Sequence, residues 1–169
     1  MTDWTVRGLE VKSQAERSVV YTPAERMRRD RTIWTLVQGV LAPAQFLVFL
    51  VSLVLVLRYL LTGNGLEAAG LSVLIKTAVL LLIMVTGAIW EKVVFGQYLF
   101  ARPFFWEDVV SMMVIAAHLA VAMAWFDWGL HLSPQSAMLL ALLAYSLYLI
   151  NAAQFLRKLR LARLEARNA

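Results

Sequence analysis

Ile33–Leu61 reads IWTLVQGVLAPAQFLVFLVSLVLVLRYLL, 29 residues with a single charge, Arg58. A helix needs about 20 consecutive, mostly apolar residues to cross a bilayer. A helix on the surface of a soluble protein shows an apolar stripe, whereas this one is apolar nearly all round. Three further stretches read the same way: about Ala69 to Val94, about Phe105 to Phe126, and about Ser136 to Leu156. The composition fits. Hydrophobic residues make up 61 % of the 169 and charged residues 16 %, against roughly 45–50 % and about 25 % in soluble domains. Mean hydropathy is +0.69. The chain therefore reads as all-α: an integral membrane four-helix bundle with little mass outside the lipid. Intrinsic disorder is excluded on the same grounds. The expected organisation is a polar segment over residues 1–22, the bundle over 23–156 and a basic tail over 157–169.

Charge sets the expected orientation. Seven basic residues precede the first span, Lys92 and Arg102 lie around the loop after the second, and five follow the fourth. Fourteen of the sixteen Lys and Arg residues thus fall on one side, leaving Arg58 opposite and Lys76 within a span. Cytoplasmic loops carry such an excess, so both termini are expected to be cytoplasmic, in a multi-pass membrane protein. The basic tails suit this rule and anionic membrane lipid; no nucleic-acid partner is expected. Trp34, Trp90, Tyr98 and Trp106 fit an aromatic belt at the inner interface, and Tyr59, Trp125 and Trp128 fit one at the outer. The first 32 residues lack the apolar core of a cleavable signal, so the N-terminus is expected to stay as made.

Several chemistries are excluded. With no cysteine there is no disulfide, thiolate nucleophile or Cys-held metal cluster. Only His118 and His131 are present, which argues against a multi-His metal centre, and no metal site in the protein is expected. No phosphate loop or nucleophile elbow appears.

Local signals mark the helix ends. Thr22-Pro23-Ala24-Glu25 has the form of a capping box with proline at the first helical position. It predicts a helix that starts near Pro23 and continues into the first span. Ser133-Pro134 predicts the start of the fourth. Pro43 is expected to kink the first span and to free the carbonyl near Gly39.

Polar residues at membrane depth are costly and often functional. Gln38, Gln45, Ser52 and Tyr59 recur every seven residues, so they share a face. They read as hydrogen-bonding glue between helices or as one wall of a pocket. Lys76 can snorkel outward or serve function. Glu91 ends the second span as an interfacial charge or an acid/base group. Glu107 and Asp108 open the third, where the helix dipole favours acids. Glu107, Ser111 and His118 share a face. His118 is either hydrogen-bonded inside the bundle, a ligand to a metal-centred macrocycle, or a proton carrier. Tyr145, Tyr148, Asn151 and Gln154 form a stripe on the fourth span, with Tyr145 too deep for a belt. With Trp106 on the rim, these residues describe a pocket open at the inner side. It suits a large, flat, apolar ligand with one polar edge.

The stretches Tyr21–Arg26 (YTPAER), Trp34–Pro43 (WTLVQGVLAP), Gly87–Gly96 (GAIWEKVVFG) and Phe104–Val109 (FFWEDV) resemble the 3-vinyl bacteriochlorophyllide hydratase family. The resemblance runs from about Tyr21 to Leu156. It implies hydration of the 3-vinyl group of a chlorophyllide or bacteriochlorophyllide to 3-(1-hydroxyethyl), a hydro-lyase step of bacteriochlorophyll synthesis. It implies no resident cofactor, the magnesium being carried by the substrate. Neighbouring pigment-pathway enzymes are possible partners. The residue roles are inferred from the chemistry. Protonating the terminal vinyl carbon puts the positive charge on the inner carbon, where the macrocycle delocalises it, and water adds there. This calls for a general acid and a held water. Glu107 is the first choice of acid and Glu91 the second. Asp108 would position or deprotonate the water. Expected pigment contacts are His118, Gln38, Gln45, Trp106, Tyr145, Tyr148 and Asn151. A non-catalytic pigment-binding or assembly subunit is the competing reading. A small transporter and a haem redox protein fit less well, since there is no inverted repeat and one His at membrane depth.

Overall fold

The computed structural model describes residues 20–168, and the expected segment 1–22 lies largely outside them. The described residues form five helices: α1 (Pro23–Arg31), α2 (Ile33–Thr62), α3 (Leu66–Phe95), α4 (Phe105–Trp125) and α5 (Pro134–Asn168). The last four are long and apolar enough to cross a membrane, and the limits of α2, α3 and α4 match the predicted spans to within about three residues. The capping box forms as read. Glu25 N donates to Thr22 Oγ1 at 3.3 Å, and Thr22 N donates to Glu25 Oε2 at 2.8 Å. Ser133 Oγ accepts from Ser136 N at the start of α5.

Two expectations change. The helix from Pro23 does not continue into the first span. It stops at Thr32, whose backbone is extended (φ −83°, ψ 138°) and whose hydroxyl caps the next helix at Trp34 N. Thr35 Oγ1 holds the corner by donating to Arg29 O. The helix of the fourth span does not stop near Leu156 but runs unbroken to Asn168. The basic residues 157–168 therefore form a helical extension of α5.

α2 packs on α3 and α4 on α5. Contacts of α3 with α4 and of α2 with α5 close the ring. Buried positions follow spacings of three and four: Gln45, Phe49, Ser52 and Val56 on α2, and Glu107, Ser111, Val114, His118 and Val121 on α4. On α5 the seam is Met138, Ala141, Tyr145, Tyr148 and Asn151. This is the seam of a four-helix bundle. Only 22 % of the most apolar window of α2 is buried, and 33 % of that of α3. The remaining leucines and valines face outward, the arrangement that lipid as solvent requires.

A second apolar cluster caps the end of the bundle where α1, the 96–104 loop and the α5 extension meet. Tyr21 stacks on Phe95 (5.8 Å), Phe104 stacks on Phe155 (6.1 Å), and Trp90 meets Phe95 edge-on. Val20 N donates to Glu165 Oε2 at 3.0 Å and Arg28 Nε to Val94 O at 2.8 Å. Burial pushes the Tyr21 phenol up to about 12, so it stays neutral beneath the Arg29 guanidinium, 4.7 Å from its ring.

At the opposite end Trp125 lays its indole on Gly70. A Cβ at Gly70 would stand 1.9 Å from that ring. Gly70→Ala should cost about 1–3 kcal/mol, the usual range for overpacking. The cost should largely vanish in a Trp125→Ala background, because the blocking ring is gone. Thermal unfolding in detergent followed by circular dichroism reads both.

Candidate active site

The loop from Gly96 to Phe104 is fastened from below by two carboxylates. Gly96 closes α3 in the left-handed region (φ 88°). Phe100 also sits there (φ 59°), which costs a residue with a side chain on the order of 1 kcal/mol. Its backbone N donates to Asp108 Oδ2 at 2.7 Å, and the next backbone N, of Ala101, donates to Glu91 Oε2 at 3.1 Å. These two hydrogen bonds offset the strain.

Glu107, one position earlier on α4, faces the other way. Lys158 of the α5 extension lies 3.2 Å from Glu107 Oε1 and also donates to Pro103 O. The first turn of α4 is clamped to α5 through the Glu107 carbonyl, which accepts from Asn151 Nδ2 at 2.9 Å. The Ser111 hydroxyl sits between that carbonyl (2.9 Å) and Asn151 Oδ1 (3.2 Å). Beside this clamp a cleft of about 300 Å³ opens, lined among others by Arg102, Trp106, Glu107, Gln154, Arg157 and Lys158. Trp106 is 68 % exposed at its edge.

The other candidates lie elsewhere. His118 is fully buried, with Nδ1 2.8 Å from Val114 O and Nε2 without a partner among the described residues. It lies eleven residues beyond Glu107, about 16 Å of helix rise deeper. Its ring is 5.7 Å from that of Tyr145. Tyr145 finds the partner its depth demands in Ser52, which in turn bonds Ser72 at 2.7 Å. Lys76 does not snorkel. It is fully buried, with Nζ 3.9 Å above the Tyr148 ring and no hydrogen-bond partner among the described residues. The helix rotation that turns Lys76 inward is set by Ala69, Val73 and Leu80 on the same buried face. Gln45 is buried on α2. Gln38 donates to Thr86 Oγ1 at 2.8 Å beside Gly87 and so ties α2 to α3.

The structure thus brings Glu91, Glu107, Asp108, Trp106 and Asn151 together at one end. His118, Tyr145 and Tyr148 sit in a deeper polar layer, and Gln38 in a separate contact. Sequence reading missed Lys158, Arg102 and Arg157, which counted only toward topology. Lys158 follows Asn151 by seven residues, the spacing that would have placed it on the same face.

The family model for 2-vinyl bacteriochlorophyllide hydratase (BCHF) matches residues 21–161. A 2-vinyl bacteriochlorophyllide hydratase of Rhodobacter capsulatus is 62 % identical over 150 residues, covering 89 % of this chain and 86 % of the relative. That of Cereibacter sphaeroides is 62 % identical over 146 residues, covering 86 % and 89 %. No solved structure matches.

Because the Lys76 amine is enclosed without a hydrogen-bond acceptor, its loss removes little and relieves a buried polar group. Lys76→Met should therefore leave the midpoint of thermal unfolding in detergent unchanged or raised. A fall of several degrees would show that the amine stabilises the bundle.

Proposed function

The chain belongs to the 2-vinyl bacteriochlorophyllide hydratase family, and from that membership we infer its function: it adds water to the vinyl group of a bacteriochlorophyllide, as a hydro-lyase of bacteriochlorophyll biosynthesis. The family description numbers the vinyl position 2 where the sequence resemblance numbered it 3, a difference of wording. The observation that carries our reading of the site is the cleft with Glu107 in its wall and an exposed Trp106 at its edge, near a loop held by two more carboxyls. A flat macrocycle can lie against Trp106 with its vinyl edge turned to Glu107.

In this reading Glu107 gives its proton to the terminal vinyl carbon. The positive charge formed on the inner carbon is spread over the macrocycle. Water adds to the inner carbon and returns a proton to Glu107, so one carboxyl completes the cycle as acid and then base. Lys158, 3.2 Å away, stabilises the Glu107 carboxylate between the two steps. The Glu91–Asp108 pair contributes negative charge behind the site while the macrocycle is cationic, and it holds the loop that carries Arg102. Magnesium enters with the substrate. The depth of His118 favours a place for it in the polar layer with Tyr145 and Lys76 over a bond to magnesium at this cleft. The distribution of Lys and Arg supports an inner-membrane protein with both termini and the cleft on the cytoplasmic side, in contact with anionic lipid.

Purified variants in detergent, assayed for turnover of a vinyl bacteriochlorophyllide, test the assignment. Glu107→Gln should lower kcat by about 10²-fold or more, the usual worth of a general acid–base. Glu91→Gln and Asp108→Asn should cost less. Full activity in all three would refute the carboxyl mechanism.

A further inference from the structure

We propose that Arg102 and Arg157 form a carboxylate-binding clamp at the rim of the cleft, which holds the free propionate side chain of the substrate and makes the enzyme selective for the free-acid pigment over its ester. The inference rests on the hydratase reading, since a pigment named as a bacteriochlorophyllide carries an unesterified propionic side chain, ionised at neutral pH.

Three cationic side chains converge on the cleft, from the loop (Arg102) and the α5 extension (Arg157, Lys158). Lys158 is engaged by Glu107 and by the Pro103 carbonyl. Arg102 and Arg157 make no ion pair and no side-chain hydrogen bond among the described residues. Two guanidinium groups bordering one small cleft are suited to a carboxylate, because each offers paired N–H donors in a planar fork. Gln154 adds a third polar group. Its Oε1 is buried, without a partner among the described residues. Turned end for end, the same amide presents N–H donors to an anion.

Size supports the division of labour. A volume of about 300 Å³ lies at the bottom of the range for small-molecule sites. The cleft therefore takes an edge of the macrocycle and its flexible propionate arm, and leaves the ring face to Trp106, Phe105 and lipid. The long arginine side chains and the two-carbon arm give the reach that lets the vinyl group and the carboxylate engage different walls. The same two arginines also suit an anionic lipid headgroup, the other carrier of an exposed negative group at this depth. The test separates the two.

The experiment compares the free acid of a vinyl bacteriochlorophyllide with its methyl ester, on wild type and on Arg102→Gln, Arg157→Gln and the double variant. It is run in neutral detergent and again in vesicles containing phosphatidylglycerol. In wild type the ester should show a KM about tenfold or more above that of the acid, the equivalent of one charge-assisted hydrogen bond. In the double variant the ratio should fall to within about twofold, through a rise in KM for the acid, in detergent as in vesicles. Equal KM values for acid and ester in wild type would overturn the clamp, and so would an equal rise for both pigments in the variants. A defect seen only with phosphatidylglycerol and alike for both pigments would assign the arginines to lipid and overturn it too. Failure of wild type to hydrate either pigment would instead refute the hydratase reading beneath it.

Discussion

No water reaches the hydrocarbon interior of a bilayer, so a hydroxyl, amide, amine or carboxyl placed there must be met by another group of the protein. That constraint organises this bundle more than apolar packing does, because lipid outside is as apolar as leucine inside. Ser52 meets Ser72 and Tyr145, Gln38 meets Thr86, and Asn151 meets the Glu107 carbonyl. These bonds join α2 to α3 twice, α2 to α5 and α4 to α5, and together they fix which faces turn inward. The apolar residues then fill what remains.

At the basic end the same constraint shapes chemistry. Glu91 and Asp108 are buried acids whose first partners are backbone N–H groups of the loop above them. Holding the loop places Pro103 and Arg102 over the first turn of α4. Lys158, reaching from the continuous helical extension of α5, completes the wall around Glu107. The cleft therefore depends on three elements that are distant in sequence.

The membrane plan was legible because lipid imposes an unmistakable pattern, a long apolar run ended by Gly, Asn or charge. The α4 face of Glu107, Ser111 and His118 was legible too, since spacing alone determines it. The break at Thr32 was not. Residues on both sides favour helix, and contacts of Thr35 with Arg29 and of Arg28 with Val94 decide it. The α5 extension was hidden because its arginines read as topology signals, although Leu, Ala and Arg are also strong helix formers. Lys76 was ambiguous for a geometric reason. A lysine stem can run outward or inward, and only the rotation of α3 against α5 sends it over Tyr148. Of the cleft cations, Lys158 could be placed from its helical spacing to Asn151, whereas Arg102 needed the fold of the loop, which no local pattern contains.

The central claim is that a carboxyl at this end protonates the terminal vinyl carbon and that water then adds to the inner one. Turnover of a vinyl bacteriochlorophyllide by the purified protein in D₂O, with the product read by mass spectrometry and proton NMR, addresses it directly. The expected product has gained one molecule of heavy water, with one deuterium in the new terminal methyl group and the oxygen on the adjacent carbon. Recovery of unchanged pigment, or a hydrated product whose methyl group carries no deuterium, would contradict it.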